Sequence, residues 1–262
     1  MKVQYDRNWY WFIVLLLMTV LLEGVFPGQL RAKGNGRPNA MGRFYGLPTD
    51  QDKSVHLFYL IHLPQKIDEQ TKLLILLHGY GSNEEDLMGL MRQLPQNVVL
   101  VAARAPRAVG PDSFEWFEPG EEDGVAEDTL EMHSERSIMH LIQEMQSRFH
   151  IPPLQTFVAG FSQGATMSYM IGLKHSDSIG GIGVWSGLLF PWLKQTMDFA
   201  SGQLKIFIGH GDADHRVDLH YARQADLWLK KRGFNPDFHV YQGMFHQIWP
   251  REMIDFDQFM SK

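Results

Sequence analysis

Residues 156–164 read Thr156-Phe157-Val158-Ala159-Gly160-Phe161-Ser162-Gln163-Gly164. An apolar run enters Gly-x-Ser-x-Gly, and Ala165-Thr166-Met167-Ser168-Tyr169-Met170-Ile171 follows with the composition of a helix. A serine placed between a strand and a helix sits on a very tight turn. Glycines two residues to either side leave room for the helix to fold back on the strand. The hydroxyl then projects clear of the sheet, and the next backbone N–H points toward the reacting centre. The five-residue pattern alone occurs in ordinary turns. With a strand before it and a helix behind it, it marks Ser162 as a candidate nucleophile on an α/β scaffold.

A serine hydroxyl is a weak nucleophile near neutral pH. It needs a base, and the base needs an orienting carboxylate. In strand–turn–helix serine enzymes these follow in the order Ser, acid, His. Leu204-Lys205-Ile206-Phe207-Ile208-Gly209 reads as a strand and runs into His210-Gly211-Asp212-Ala213-Asp214-His215-Arg216-Val217-Asp218. Phe238-His239-Val240-Tyr241 reads as a second, followed by Gln242-Gly243-Met244-Phe245-His246. Three aspartates compete for the acid role. Asp212 lies against the Gly turn and reads as a loop brace. Asp218 precedes Leu219-His220-Tyr221 and reads as a helix N-cap. Asp214, deep in the loop, is the choice. Most of the twelve histidines read as structural or surface residues. His246 alone combines the chain order with the right element boundary, so it is the expected base.

Acyl transfer also needs fixed N–H donors for the developing oxyanion. The N–H of Gln163 is one. Leu73-Leu74-Ile75-Leu76-Leu77 reads as a buried strand ending in His78-Gly79-Tyr80-Gly81-Ser82, and the Tyr80 N–H is the second. His78 precedes the serine and reads as a loop brace. The same loop begins like a dinucleotide fingerprint, but Glu84 stands where the third glycine belongs. The next strand, Asn97 to Ala102, ends without an acid for a ribose.

These stretches, with Trp116-Phe117, Trp185-Ser186-Gly187 and Gly243-Met244-Phe245-His246, run from about Tyr45 to Phe259. They resemble the phospholipase/carboxylesterase family of α/β-hydrolases, which includes acyl-protein thioesterases and small bacterial carboxylesterases. The resemblance implies an α/β-hydrolase fold, with a mainly parallel central sheet and helices on both faces. It implies a serine esterase with no cofactor, with Ser162 as nucleophile, Asp214 as acid, His246 as base, and Tyr80 and Gln163 as oxyanion donors. One departure stands out: family members usually carry a proline after the aspartate, where this chain has His215 and Arg216. The leading expectation is a carboxylic-ester hydrolase of small to medium acyl esters. A lipid-directed lysophospholipase or acyl-thioesterase is the alternative, and a binding protein that keeps the fold without the chemistry is a third.

Composition excludes other classes. A net charge of −6 leaves no electrostatic footprint for nucleic acid. No cysteine is present, so there is no disulfide, thiol nucleophile or Cys–zinc site. No metal motif or phosphate loop occurs, and no metal is expected. The hydrophobic content of 44% suits one core, so residues 45–262 are expected to form a single catalytic domain. Residues 29–44 are basic and Gly-rich and read as a disordered linker. Residues 1–28 read as a signal peptide or membrane anchor. The apolar run from Trp9 to Leu22, extended by Val25-Phe26, is shorter than the roughly 20 residues that span a bilayer. Export to the periplasm or exterior, or membrane association through residues 9–26, is the expectation.

The remainder reads as scaffold and pocket. Val55 to Ile61 reads as a first strand. Ser134 to Phe149 reads as a helix, with Ile138, Leu141, Ile142 and Met145 on one face. Met167, Tyr169 and Met170 read as core. Pro111 to Asp128 is irregular and acid-rich. Its Trp116 and Phe117, with Leu188 from a later apolar stretch, are the candidate acyl-pocket residues.

Overall fold

The computed structural model describes residues 41–42, 56–94, 97–118, 130–196 and 204–262. The strands are β1 (Met41–Gly42), β2 (Tyr59–His62), β3 (Lys72–Leu77), β4 (Val98–Ala103), β5 (Arg107–Gly110), β6 (Ser113–Glu115), β7 (Thr156–Phe161), β8 (Gly181–Trp185), β9 (Lys205–Gly211) and β10 (Asp237–Tyr241). The helices are α1 (Leu130–Phe149), α2 (Gln163–Lys174), α3 (Leu193–Thr196), α4 (Leu219–Lys230) and α5 (Pro250–Ser261). One sheet runs β1-β2-β4-β3-β7-β8-β9-β10. The pairs β1–β2 and β2–β4 are antiparallel, and every later pair is parallel.

Strand periodicity explains why β3 and β4 read as unbroken apolar runs. Successive side chains point to opposite faces, and both faces here are covered. Leu73, Ile75 and Leu77, with Val99 and Val101, enter a core shared with Ile138, Leu141, Ile142 and Met145 of α1. Met167, Tyr169 and Met170 of α2 and Leu229 of α4 complete it. Leu74, Leu76 and Leu100 enter a second core with Met253, Phe256, Phe259 and Met260 of α5. The mainly parallel sheet with helices on both faces is therefore present, as expected.

Boundaries differ where tertiary contacts override local pattern. Helix α1 starts at Leu130, four residues before the expected Ser134. Its first turns bury polar groups that find partners: Ser134 Oγ donates to the Trp116 carbonyl at 2.6 Å, and Glu135 pairs with Lys174 and His175. Strand β9 continues through His210 and Gly211, because β10 supplies pairing partners at Val240 and Tyr241. The stretch expected to be irregular contains β6, paired with β5 and held by the ion pair of Arg107 with the buried Glu115. Met41 and Gly42, within the expected linker, pair with His62 and Ile61. The amino-terminal run at 9–26 and the acidic residues 121–128 lie outside the described residues. No helix among the described residues is long and apolar enough to cross a membrane.

Candidate active site

The turn between β7 and α2 has the geometry that its glycines suggested. Ser162 sits at φ 54°, ψ −114°, a left-handed conformation that an L-residue adopts only under constraint. A side chain at Gly160 would overlap Gly164 and Ala165 of the helix. One at Gly164 would overlap the carbonyls of Leu77 and His78. Both glycines are therefore demanded by close backbone approach. The Ser162 N–H donates to the Trp185 carbonyl at 2.9 Å, which ties the turn to the end of β8.

Three remote residues meet at this turn. The Ser162 Oγ lies 3.0 Å from His246 Nε2, and His246 Nδ1 lies 2.8 Å from Asp214 Oδ2. An ionised carboxylate can only accept, so Nδ1 carries the imidazole proton. Nε2 is then the acceptor that faces the serine hydroxyl. Phe161 packs against the His246 ring, with centroids 4.7 Å apart. Burial by itself would raise the Asp214 carboxyl. The hydrogen bond and attraction of His246, then the N–H groups of Val217 and Arg216 at 2.9 Å, outweigh it and hold that carboxyl below the ordinary range.

The two other aspartates take the places their sequence context suggested. Asp212 Oδ1 accepts from the Gly243 N–H at 2.6 Å, bracing the loop that carries His246. Asp218 caps α4 by accepting from the His220 N–H at 2.7 Å. His215 and Arg216 are exposed; the Arg216 backbone N–H serves Asp214.

The loop after β3 lies directly over the serine: a Cβ built on Gly79 would stand 3.5 Å from Ser162 Cβ. His78 is buried and braces this loop. Its Nδ1 donates to the Gly79 carbonyl at 2.7 Å, and its Nε2 accepts from the Ala105 N–H at 3.0 Å. Burial depresses its pKa and keeps it neutral. The Tyr80 and Gln163 backbone N–H groups donate to no acceptor in the hydrogen bonds of the described residues.

The pocket residues divide. Trp116 was expected to line the acyl pocket, yet it is completely buried, and its Nε1 donates to the His78 carbonyl at 2.9 Å. It supports the loop over the serine from beneath. Phe117 is buried against Phe190. Leu188 is half-buried, with its N–H on Thr166 Oγ1.

A model of the family described as Phospholipase/Carboxylesterase matches residues 62–262. The chain belongs to the phospholipase/carboxylesterase family. As a member of that family it is a serine hydrolase. Acyl-protein thioesterase 1 of Candida albicans is 25% identical over 222 residues, covering 77% of this chain and 96% of that protein. Acyl-protein thioesterase 1 of Debaryomyces hansenii is 32% identical over 128 residues, 48% of this chain and 55% of that protein, so this match spans about half of that relative. Among solved structures, esterase PE8 shares the fold with a TM-score of 0.67 at 24% identity, covering 79% of this chain and 99% of that one.

Two residues around this hydrolase site were not singled out by sequence for what they do. His210 reads in sequence as one histidine among many. It is buried at the end of β9, and burial keeps it neutral. Its Nε2 donates to the Val217 carbonyl at 2.7 Å, and that residue's N–H donates in turn to Asp214. Its place two residues before Asp212 in a strand end was the available signal. The Gln163 side chain accepts from the Trp116 N–H at 2.8 Å and donates to the Phe117 carbonyl at 2.7 Å.

Proposed function

We propose that the protein hydrolyses small to medium acyl esters through a Ser162–His246–Asp214 triad and an acyl-enzyme. Ser162 Oγ forms a bond to the substrate carbonyl carbon while its proton passes to His246 Nε2. The resulting oxyanion is received by the Tyr80 and Gln163 N–H groups. His246 returns the proton to the leaving alcohol as the carbon–oxygen bond breaks. Water then repeats the sequence in reverse roles and releases the acid. Asp214, held ionised, keeps the imidazole in the required tautomer. Phe117 and Leu188 are the candidate acyl contacts that remain.

The observation that supports this reading is the continuous hydrogen-bonded chain, 3.0 Å and 2.8 Å long in its two links, at a serine with a strained backbone. The test is hydrolysis of p-nitrophenyl esters of increasing chain length by the full chain beside Ser162→Ala. Turnover is expected to fall by about 10⁶ in the variant. Equal rates would end the proposal.

A second reading, an acyl-thioesterase or lysophospholipase working near a membrane, draws support from the name carried by the curated relatives. The apolar run at 9–26 is the segment that would export or anchor it. Paired thioester and oxygen-ester substrates with the same acyl chain distinguish the two chemistries. A preference above about tenfold for long-chain thioesters, with the chain recovered in the membrane fraction, favours the second.

A further inference from the structure

Outside the serine site, metal-ligating side chains converge where the chain enters β2. His140 and Glu144 stand four residues apart on α1 and so share one face of it. His56, three residues before β2, packs its ring edge-to-face on His140 with centroids 4.5 Å apart. One ligand atom from each of the three lies within 4.8 Å of the others, and all three residues are half-buried. The buried Tyr59 donates from its hydroxyl to Glu144 Oε1 at 3.5 Å.

We propose that His56, His140 and Glu144 form a binding site for a divalent transition-metal ion of the zinc class, with a further position open to water. The donor set carries the choice. Two imidazoles and one carboxylate suit zinc and its neighbours, whereas magnesium and calcium take oxygen ligands. Bonds of about 2.0–2.1 Å in a tetrahedron place ligand atoms about 3.4 Å apart. The ligand atoms now lie within 4.8 Å of one another, so a bound ion would have to draw them closer. Tyr59 acts from behind the ligands: by holding one Glu144 oxygen it orients the carboxylate, as outer partners of metal ligands do. Arg148, one turn further along α1, lies close to the Tyr59 hydroxyl. Filled, the site ties the segment before β2 to α1 and stabilises the folded chain by mass action.

The test is titration of chelator-treated full-length protein with zinc chloride by calorimetry, with Tm and the visible spectrum of the cobalt(II) form as second readouts. One ion is expected to bind per chain, with a rise in Tm and ligand-field bands from the cobalt form. His140→Ala and Glu144→Gln should each weaken binding at least about tenfold, and Tyr59→Phe by up to about that factor. Ester hydrolysis by the metal-free protein should not change in Glu144→Gln. Absence of saturable binding overturns the proposal. So does undiminished affinity in Glu144→Gln, which would place the ion elsewhere, His246 included. Should His140→Ala fold poorly, Glu144→Gln decides alone.

Discussion

Asp214 and Glu252 are both buried carboxylates close to β9, and they are driven in opposite directions. Asp214 lies in the loop that leaves the strand, where an imidazole and two backbone N–H groups receive its oxygens. Glu252, in the first turn of α5, presses its carboxylate against Gly209 of the same strand, where neither oxygen has a hydrogen-bond partner of good geometry. Burial therefore dominates and pushes Glu252 well above the ordinary 4.5; the Trp249 backbone N–H offsets this only in part, and the nearby Asp255 charge adds to it. Burial acts on both groups with the same sign. Partners decide the direction of each shift: those around Asp214 outweigh burial and favour its anion, whereas burial of Glu252 favours its protonated form.

The largest test of this contrast is Asp214→Asn. The side chain keeps its shape, but the imidazole tautomer is no longer enforced, and kcat is expected to fall by about 10⁴. A loss under tenfold would remove Asp214 from the mechanism and erase the functional half of the contrast.

The second test is pH-dependent stability. For Glu252 the native state holds the proton more tightly than the unfolded chain. Its contribution is fully present below 4.5 and declines as pH rises from there through the folded value. For Asp214 the native state binds the proton less tightly, so its contribution is present above 3.8 and is lost as pH falls below that value through the folded one. Denaturant unfolding of wild type and Glu252→Gln from pH 4 to 8 should show a component of up to about 1.4 kcal/mol per pH unit in wild type only. Matching slopes would mean that Glu252 titrates normally and the contrast is false.

The smallest expected effect comes from the support of Asp214. His210→Phe leaves the half-buried Val217 carbonyl without its donor, which costs on the order of 1 kcal/mol of stability. Chemical denaturation reads that loss, and kcat for ester hydrolysis should fall by about tenfold as the acid loop loosens. Unchanged kcat with reduced stability would confine His210 to structure.

Much of this was legible in the chain itself. The elbow at 160–164 shows in sequence because its constraint is local: backbone approaches backbone there, and only glycine fits. Strands β3, β4 and β7 show because burial on both faces leaves no polar alternation. Helix α1 was legible only from Ser134 onward, since its first turns bury polar groups whose partners lie on Trp116, Lys174 and His175. The burial of Trp116 was hidden for a related reason. An aromatic beside a loop fits a pocket wall or a buried support equally well.

By itself, then, the sequence determined an α/β chain order with a serine on a forced turn, and an acid and a histidine after later strands. These follow from backbone geometry and from patterns repeated within a few residues. Tertiary structure decided which carboxylate meets His246 and which carboxylate stays unpaired. It also decided that the Trp116 indole bonds the loop over the serine, and that His56 meets His140. Each of these rests on distances between residues far apart in the chain, and no local preference encodes such a distance.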